Sequence, residues 1–249
     1  MFNAKKEKDK IVYFIREYFN KNDLGGVVIG ISGGKDSAVV AGLFTEAIGP
    51  ERIIGITLPC HSKKTDKNDA KLVSDYFKFK MIDIDLTDTF DTFKNQINLI
   101  GDFTEEQLKN SDINAKPRLR MLSLYYIAAL ETALKGKTYI VAGTGNKCEE
   151  FVGYFTKGGD SVSDIKVLAD LTVDEVIQIG ETLNVPKEVL YKAPNDGLSN
   201  LTDEDKLGVK YKDIAKYINN EELDEDTKQK IKTLHENSRH KFNIPTYRK

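Results

Sequence analysis

Val27-Val28-Ile29-Gly30-Ile31-Ser32-Gly33-Gly34-Lys35-Asp36-Ser37 is the stretch that decides the fold. Val27–Ile31 is a short, β-branched apolar run and reads as a buried strand. Ala38–Ala47 carries Val39, Val40, Leu43 and Phe44 at helical spacing and stops at Gly49-Pro50, so a helix follows. Between them lies the loop Ser32–Ser37. Gly33 and Gly34 have no Cβ, so backbone N–H groups can close on a phosphate. The helix N-terminus beyond adds partial positive charge. Ser32 and Ser37 bring hydroxyl donors and Lys35 a cation. The loop is not a Walker A motif, because three residues rather than four separate Gly30 from Gly34-Lys35 and Asp36 follows the lysine. An acid beside a phosphate is repulsive unless a cation such as Mg²⁺ bridges the two. A plain strand-to-helix turn would use two glycines but calls for neither the serines nor the acid.

The same alternation extends outward. Ile11, Phe14, Ile15, Tyr18 and Phe19 predict a helix that ends before Asn22-Asp23. Downstream, Arg52–Leu58 predicts a second strand, Asp66–Phe77 a helix, Lys80–Leu86 a third strand and Thr87–Ile97 a helix. Leu119–Leu134, apolar on several faces, predicts a long buried helix. Tyr139–Ala142 predicts a fourth strand running into Gly143-Thr144-Gly145. Strand–helix alternation of this kind predicts an α/β fold, a Rossmann-like parallel sheet with helices on both faces. Ligands in such sheets sit beyond the carboxyl ends of the strands, where Ser32–Ser37 and Gly143–Asn146 both fall. After Glu149 the periodicity weakens. Gly153–Asp164 reads as a loop, Asp174–Leu183 as a helix, Asn195–Asn200 as a second loop, and helices follow near 203–218 and 224–236. No repeat, low-complexity segment or linker interrupts the chain, so residues 1–249 read as one domain.

Of 249 residues, 40% are hydrophobic and 31% charged, the profile of a globular chain. Lys plus Arg (37) against Asp plus Glu (39) gives −2, which argues against a nucleic-acid partner. Cys60 and Cys148 are far apart and in no CxxC pair, so two free thiols and a reducing, cytoplasmic setting are expected. The charged start MFNAKKEKDK lacks the apolar stretch of a signal peptide. No run of about 18 apolar residues exists to span a membrane.

Ser32–Ser37 resembles the SGGxDS loop of the PP-loop ATP pyrophosphatases, which have an adenine nucleotide alpha-hydrolase-like fold and cleave ATP to AMP and pyrophosphate. Other segments resemble one branch, the ammonia-dependent NAD synthetases. Gly143-Thr144-Gly145-Asn146-Lys147-Cys148-Glu149, Gly153-Tyr154-Phe155-Thr156-Lys157, Gly159-Asp160 and Asp164 are similar to their GTGNKSE…GYFTKYGD block. Asn114–Met121, Pro194-Asn195-Asp196, Thr202–Gly208 and His240-Lys241 resemble further segments, in family order from about residue 27 to 245. The resemblance implies amidation of deamido-NAD by ammonia, through an NAD-adenylate, with ATP consumed to AMP and pyrophosphate as the last step of NAD synthesis. By the same resemblance Gly30, Ile31, Ser32, Gly33, Gly34, Lys35, Asp36, Ser37, Thr144 and Asn195 contact ATP, and Asp36 and Glu149 hold Mg²⁺. Arg118, Lys157, Asp164, His240 and Lys241 contact deamido-NAD. A homodimer is implied, and Leu119–Leu134 suits a helix covered by a partner or by a large core. Glutamine-using relatives carry an extra amidase domain of about 250 residues, for which a synthetase region starting near residue 10 leaves no room.

Several residues have plainer readings. Arg118 and Arg120 leave a helix on different faces, so one of them is structural. Glu149 suits a solvated helix start, Asp164 a turn, and His240-Lys241 bare surface. Cys148 stands where the block has Ser and reads as a small neighbour of Glu149. His61 and His235 have no role, and no general base for ammonia stands out. The chain also departs from the pattern. Val173 stands where the family often has Lys, with Lys166 and Lys192 as nearby substitutes. Asn195 stands for Thr, Thr57 for an adenosine-contacting Arg, and Phe242 for Arg. Two rivals follow. A tRNA-thiolating PP-loop enzyme would need catalytic cysteines and a basic face, and a non-catalytic nucleotide binder would tolerate the departures.

Overall fold

The computed structural model describes residues 2–61, 64–192 and 202–247. In chain order the elements are α1 (Ala4–Lys21), β1 (Gly26–Gly30), α2 (Lys35–Ile48), β2 (Ile53–Thr57), α3 (Lys64–Phe77), β3 (Lys80–Asp83), α4 (Thr87–Ile97) and α5 (Glu105–Lys135). Then come β4 (Tyr139–Gly143), α6 (Lys147–Val152), β5 (Ile165–Lys166), α7 (Val173–Thr182), α8 (Lys187–Leu190), α9 (Asp203–Leu207), α10 (Tyr211–Ile218) and α11 (Glu225–Ser238). The strands form one sheet in the order β3-β2-β1-β4-β5, every pair parallel. From β1 the chain winds to one side through β2 and β3, then to the other through β4 and β5. The switch point therefore lies between β1 and β4.

Residues alternate between the two faces of the strands. Val27, Ile29 and Ile31 of the β1 region, with Ile140 and Ala142 of β4, enter the core beneath α1, α2 and α7. Val28, Tyr139 and Val141 face the opposite way, into a core shared with Phe90 of α4 and Ala128 of α5. A third apolar cluster joins Cys148 and Val152 to Tyr211, Ile214 and Ile231, and so ties α6 to α10 and α11.

The doubly covered parallel sheet matches the expected fold, and the boundaries differ in informative places. Helix α2 starts at Lys35 rather than Ala38, so Lys35, Asp36 and Ser37 sit in its first turn. Strand β3 ends at Asp83, yet its pairing with the chain that leaves β2 continues beyond it, Ile84 N–H donating to Thr57 O (3.0 Å) and Leu86 N–H to Pro59 O (2.8 Å). Helix α5 begins far upstream of Leu119, at a capping box of Thr104 and Gln107, and runs through Pro117. It is not buried all round. Leu119, Leu124 and Ile127 pack inward, whereas Leu122, Tyr126, Leu130 and Leu134 are 54–74% exposed. The helix expected over 203–218 is two helices, with Gly208 in the left-handed conformation between them. The two-residue β5 and the short α6 and α8 carry too little periodicity to be seen in sequence. Asn195 and the loop expected over Asn195–Asn200 lie outside the described residues.

Candidate active site

A cavity of about 380 Å³ opens at the carboxyl ends of β1, β2 and β4, beside the switch point. Its floor is the Ser32–Ser37 segment. Gly33 has φ +80°, a conformation that costs other residues about 1–2 kcal/mol. The two serines hold the loop itself. Ser32 N–H donates to Ser37 Oγ (3.3 Å), Gly34 N–H to Ser32 Oγ (3.2 Å) and Ser37 Oγ–H to Gly34 O (3.0 Å). The loop is thus shaped before any ligand arrives, with the N-terminus of a 14-residue helix behind it.

The acids converge through a residue not singled out in sequence for this role. Asn146 is fully buried. Its Oδ1 caps α6 by accepting from the N–H groups of Cys148 (3.0 Å) and Glu149 (3.1 Å). Its Nδ2 donates to Asp36 Oδ1 (3.2 Å), and its backbone N–H donates to Glu149 Oε2 (3.1 Å). One residue therefore positions both carboxylates, Asp36 through its side chain and Glu149 through its backbone N–H. Glu149 still borders the cavity. Burial, and then the charge of Asp36, push its carboxyl up to about 8. Lys35 pairs with Asp36 Oδ2 (3.2 Å). Burial opposes its charge, but Asp36, Glu149 and Asp203 outweigh burial and raise its pKa.

Asp203, the first residue of α9, also reaches the cavity and accepts from Tyr154 O–H (3.0 Å). Sequence placed it in a resembling segment but gave it no role. Among the described residues no group of three acidic, histidine or cysteine side chains is close enough to hold a metal ion alone. Asp36 and Glu149 fit a hard divalent cation only if phosphate oxygens and water complete its shell. Such a cation would offset both the burial and the charge of Asp36 that lift Glu149.

Arg118, Lys157 and the neighbours His240 and Lys241 come together from three distant stretches, outside the cavity lining. Arg118 donates from Nε and Nη2 to Lys157 O (3.3 and 3.1 Å), and Lys157 Nζ donates to His240 O (2.8 Å). Lys241 Nζ donates to Gly153 O (2.6 Å) and Phe155 O (2.7 Å), and burial lowers its pKa. Asp164 stands apart from this cluster. Its carboxylate accepts Val141 N–H (2.8 Å) and Tyr125 O–H (3.1 Å), and the tyrosine is pushed up to about 12 by burial and then by that charge. Of the two arginines, Arg120 lines the cavity and donates to Leu58 O (3.0 Å). Thr144, Lys166 and Lys192 line it too. Val173 does not; it packs against the α6–α10–α11 cluster. Thr57 Oγ1 donates to Asp83 at the cavity's β2 wall. Both cysteines are free and buried, and burial pushes the Cys148 thiol up to about 11, which suits a packing role.

Fold and site together define a Rossmann-like α/β protein with a PP-loop type glycine loop at the switch point of its sheet. More particularly, the chain belongs to the NAD synthase family, whose pattern it matches over residues 7–245. It is similar to the NH(3)-dependent NAD(+) synthetase of Carboxydothermus hydrogenoformans, 36% identical over 244 residues, covering 98% of this chain and 97% of that protein. The NH(3)-dependent NAD(+) synthetase of Alkaliphilus oremlandii is 37% identical over 248 residues, covering 98% and 96%. Among solved structures, an NMN synthetase from Francisella tularensis superposes with a TM-score of 0.89 at 32% identity, covering 100% of this chain and 99% of that one. An NH3-dependent NAD synthetase from Campylobacter jejuni gives 0.79 at 26% identity, covering 100% of both chains. No helix among the described residues is long and apolar enough to cross a membrane.

Proposed function

We propose that the chain is a ligase that forms a carbon–nitrogen bond, converting deamido-NAD, ATP and ammonia to NAD, AMP and pyrophosphate. The observation that carries this reading is the meeting of Asp36 and Glu149, through Asn146, beside the Gly33-Gly34 cradle. Family membership supports it and does not favour the tRNA-thiolating or non-catalytic alternatives. The substrate carboxylate attacks the α-phosphorus of ATP, the bond to the β-phosphate oxygen breaks, and pyrophosphate leaves. Ammonia then attacks the acyl carbon, AMP departs, and the nitrogen sheds a proton. The protein's share is positioning and neutralisation of charge. The Gly30–Ser37 loop and the N-terminus of α2 receive the polyphosphate, with the buried Lys35 adding positive charge from beneath, and Thr144 and Asn195 are further contacts to ATP. Asp36 and Glu149 would hold Mg²⁺, which when bound offsets the charge of the phosphate oxygens. The Arg118–Lys157–His240–Lys241 cluster presents basic groups to deamido-NAD, and Asp164, apart from that cluster, is a further contact to the same substrate.

The chain acts as one domain that takes free ammonia and works as a homodimer, joined over the exposed face of α5. Incubation with ATP, Mg²⁺, deamido-NAD and ammonium should release pyrophosphate and NAD together. Glutamine in place of ammonium should support neither, and a chain releasing no pyrophosphate from this mixture would not be this enzyme. A second reading concerns the acceptor. The likeness to an NMN synthetase, 32% identical, raises the corresponding deamido mononucleotide as a second candidate acceptor. Comparing kcat/KM for the mononucleotide and dinucleotide decides between them.

A further inference from the structure

We propose that Lys166, on the two-residue strand β5, is the cation that receives the polyphosphate of the bound nucleotide, and that Glu150 holds it in place beforehand. The proposal rests on the reading of the cavity as the ATP site.

Other basic side chains lining the cavity are tied to other walls. Lys35 lies beneath the loop, paired with Asp36 (3.2 Å). Lys67 pairs with Asp83, and Lys192 with Asp69 (2.6 Å), on the β2–α3 side. Arg120 reaches Leu58 O from α5. Lys166 alone among these stands on the β4–β5 wall. Its Cα is in register with Gly143, the residue before Thr144. A Cβ on Gly143 would stand 3.2 Å from Lys166 Cγ and 2.5 Å from Ser163 Oγ. Glycine at 143 therefore lets the lysine stem lie across the end of β4 and points it toward the Thr144-Gly145 turn.

The other half of the pair sits where it can control that lysine. Glu150 Oε1 accepts from Lys166 Nζ at 2.6 Å. A Cβ on Gly145 would lie 3.7 Å from Glu150 Oε1 and 3.9 Å from Glu149 Oε2. The ion pair thus ends at the same turn as Glu149. Its side chains are 31% and 24% exposed, so it borders the cavity and water reaches it. A partly solvated pair has little net strength, whereas a polyphosphate brings several charge-bearing oxygens to one ammonium. Exchange of Glu150 for phosphate is therefore favourable.

The test compares Lys166→Met, Lys166→Arg and Glu150→Gln in the full chain. Two readouts are needed: the KM for ATP at saturating co-substrates, and calorimetric binding of inorganic pyrophosphate with Mg²⁺. Lys166→Met should weaken both by roughly tenfold or more, the scale of one lost charge-assisted hydrogen bond, with the KM for ammonium unchanged. Lys166→Arg should retain most of the affinity. Glu150→Gln should tighten pyrophosphate binding and lower the KM for ATP. These opposite signs separate the proposal from a structural salt bridge, whose two halves would weaken binding and lower the melting temperature alike. That parallel behaviour, or unchanged pyrophosphate affinity in Lys166→Met, would overturn it. Because pyrophosphate binding needs no turnover, failure of the proposed reaction in the unaltered chain would be seen separately.

Discussion

Asn146 Nδ2 donates to Asp36 Oδ1 across 3.2 Å, joining residues 110 positions apart, while the same side chain caps the helix that starts toward Glu149. Asn146→Ala removes a cap worth about 1 kcal/mol and leaves Asp36 without this donor. Turnover is expected to fall at least about tenfold, with a higher Mg²⁺ requirement, since Glu149 loses its register. Asn146→Asp keeps the cap but adds a third negative charge. It should retain more thermal stability than the alanine variant and yet be as inactive. Melting curves and Mg²⁺ titrations of activity check both, and normal turnover in Asn146→Ala would show that the coupling is idle.

The metal assignment makes a direct prediction. Asp36→Ala and Glu149→Ala should each lower turnover by about a hundredfold or more, because charge neutralisation at the phosphates is lost. Near-normal rates in both variants would remove the basis for placing Mg²⁺ there.

Glu149 makes stability depend on pH in a definite direction. Its carboxyl is held at about 8 in the fold against an ordinary 4.5, by burial first and Asp36 second. Between those values the folded chain keeps a proton that the unfolded chain releases. Stability without metal therefore falls as pH rises through this window. Melting temperatures in a chelator should drop from pH 5 to pH 8, and Glu149→Gln should flatten the slope. Mg²⁺ competes with that proton, so its stabilising effect should grow toward pH 8. A slope that Glu149→Gln leaves unchanged would assign the pH dependence to another group.

Arg118 and Arg120 should separate kinetically. Arg120 borders the cavity beside Ser32–Ser37 and Arg118 reaches toward Lys157 outside it. Arg120→Met should raise the KM for ATP by roughly tenfold, and Arg118→Met that for the pyridine nucleotide, each with less effect on the other substrate. Initial-rate kinetics with each substrate varied in turn would reveal a shared effect if the assignment were wrong.

Leu122, Tyr126, Leu130 and Leu134 repeat every four residues along one face of α5, and Tyr126 is 66% exposed. A stripe of this kind suits burial against a second copy. Tyr126→Lys combined with Leu130→Lys should shift a dimer toward monomer. Sedimentation at micromolar concentration checks this, and an unaltered dimer would locate the interface elsewhere.

Local pattern was enough for the parallel α/β sheet, the loop between β1 and α2 and the positions of β1, β2 and β4. Strand periodicity, apolar runs and glycine placement are properties of neighbouring residues, so sequence carries them directly. What sequence could not carry was proximity between distant residues. The bond between Asn146 and Asp36, the gathering of Arg118 with Lys157 and His240, and the approach of Lys166 to Glu150 exist only once β4 and β5 are laid beside β1. The helical extent of α5 was hidden because Pro117 is a local stop signal, overridden by the packing of Leu119, Leu124 and Ile127 on the sheet. Which acids lose water and repel each other was likewise decided by the tertiary structure, because desolvation depends on what surrounds a group in space and not along the chain.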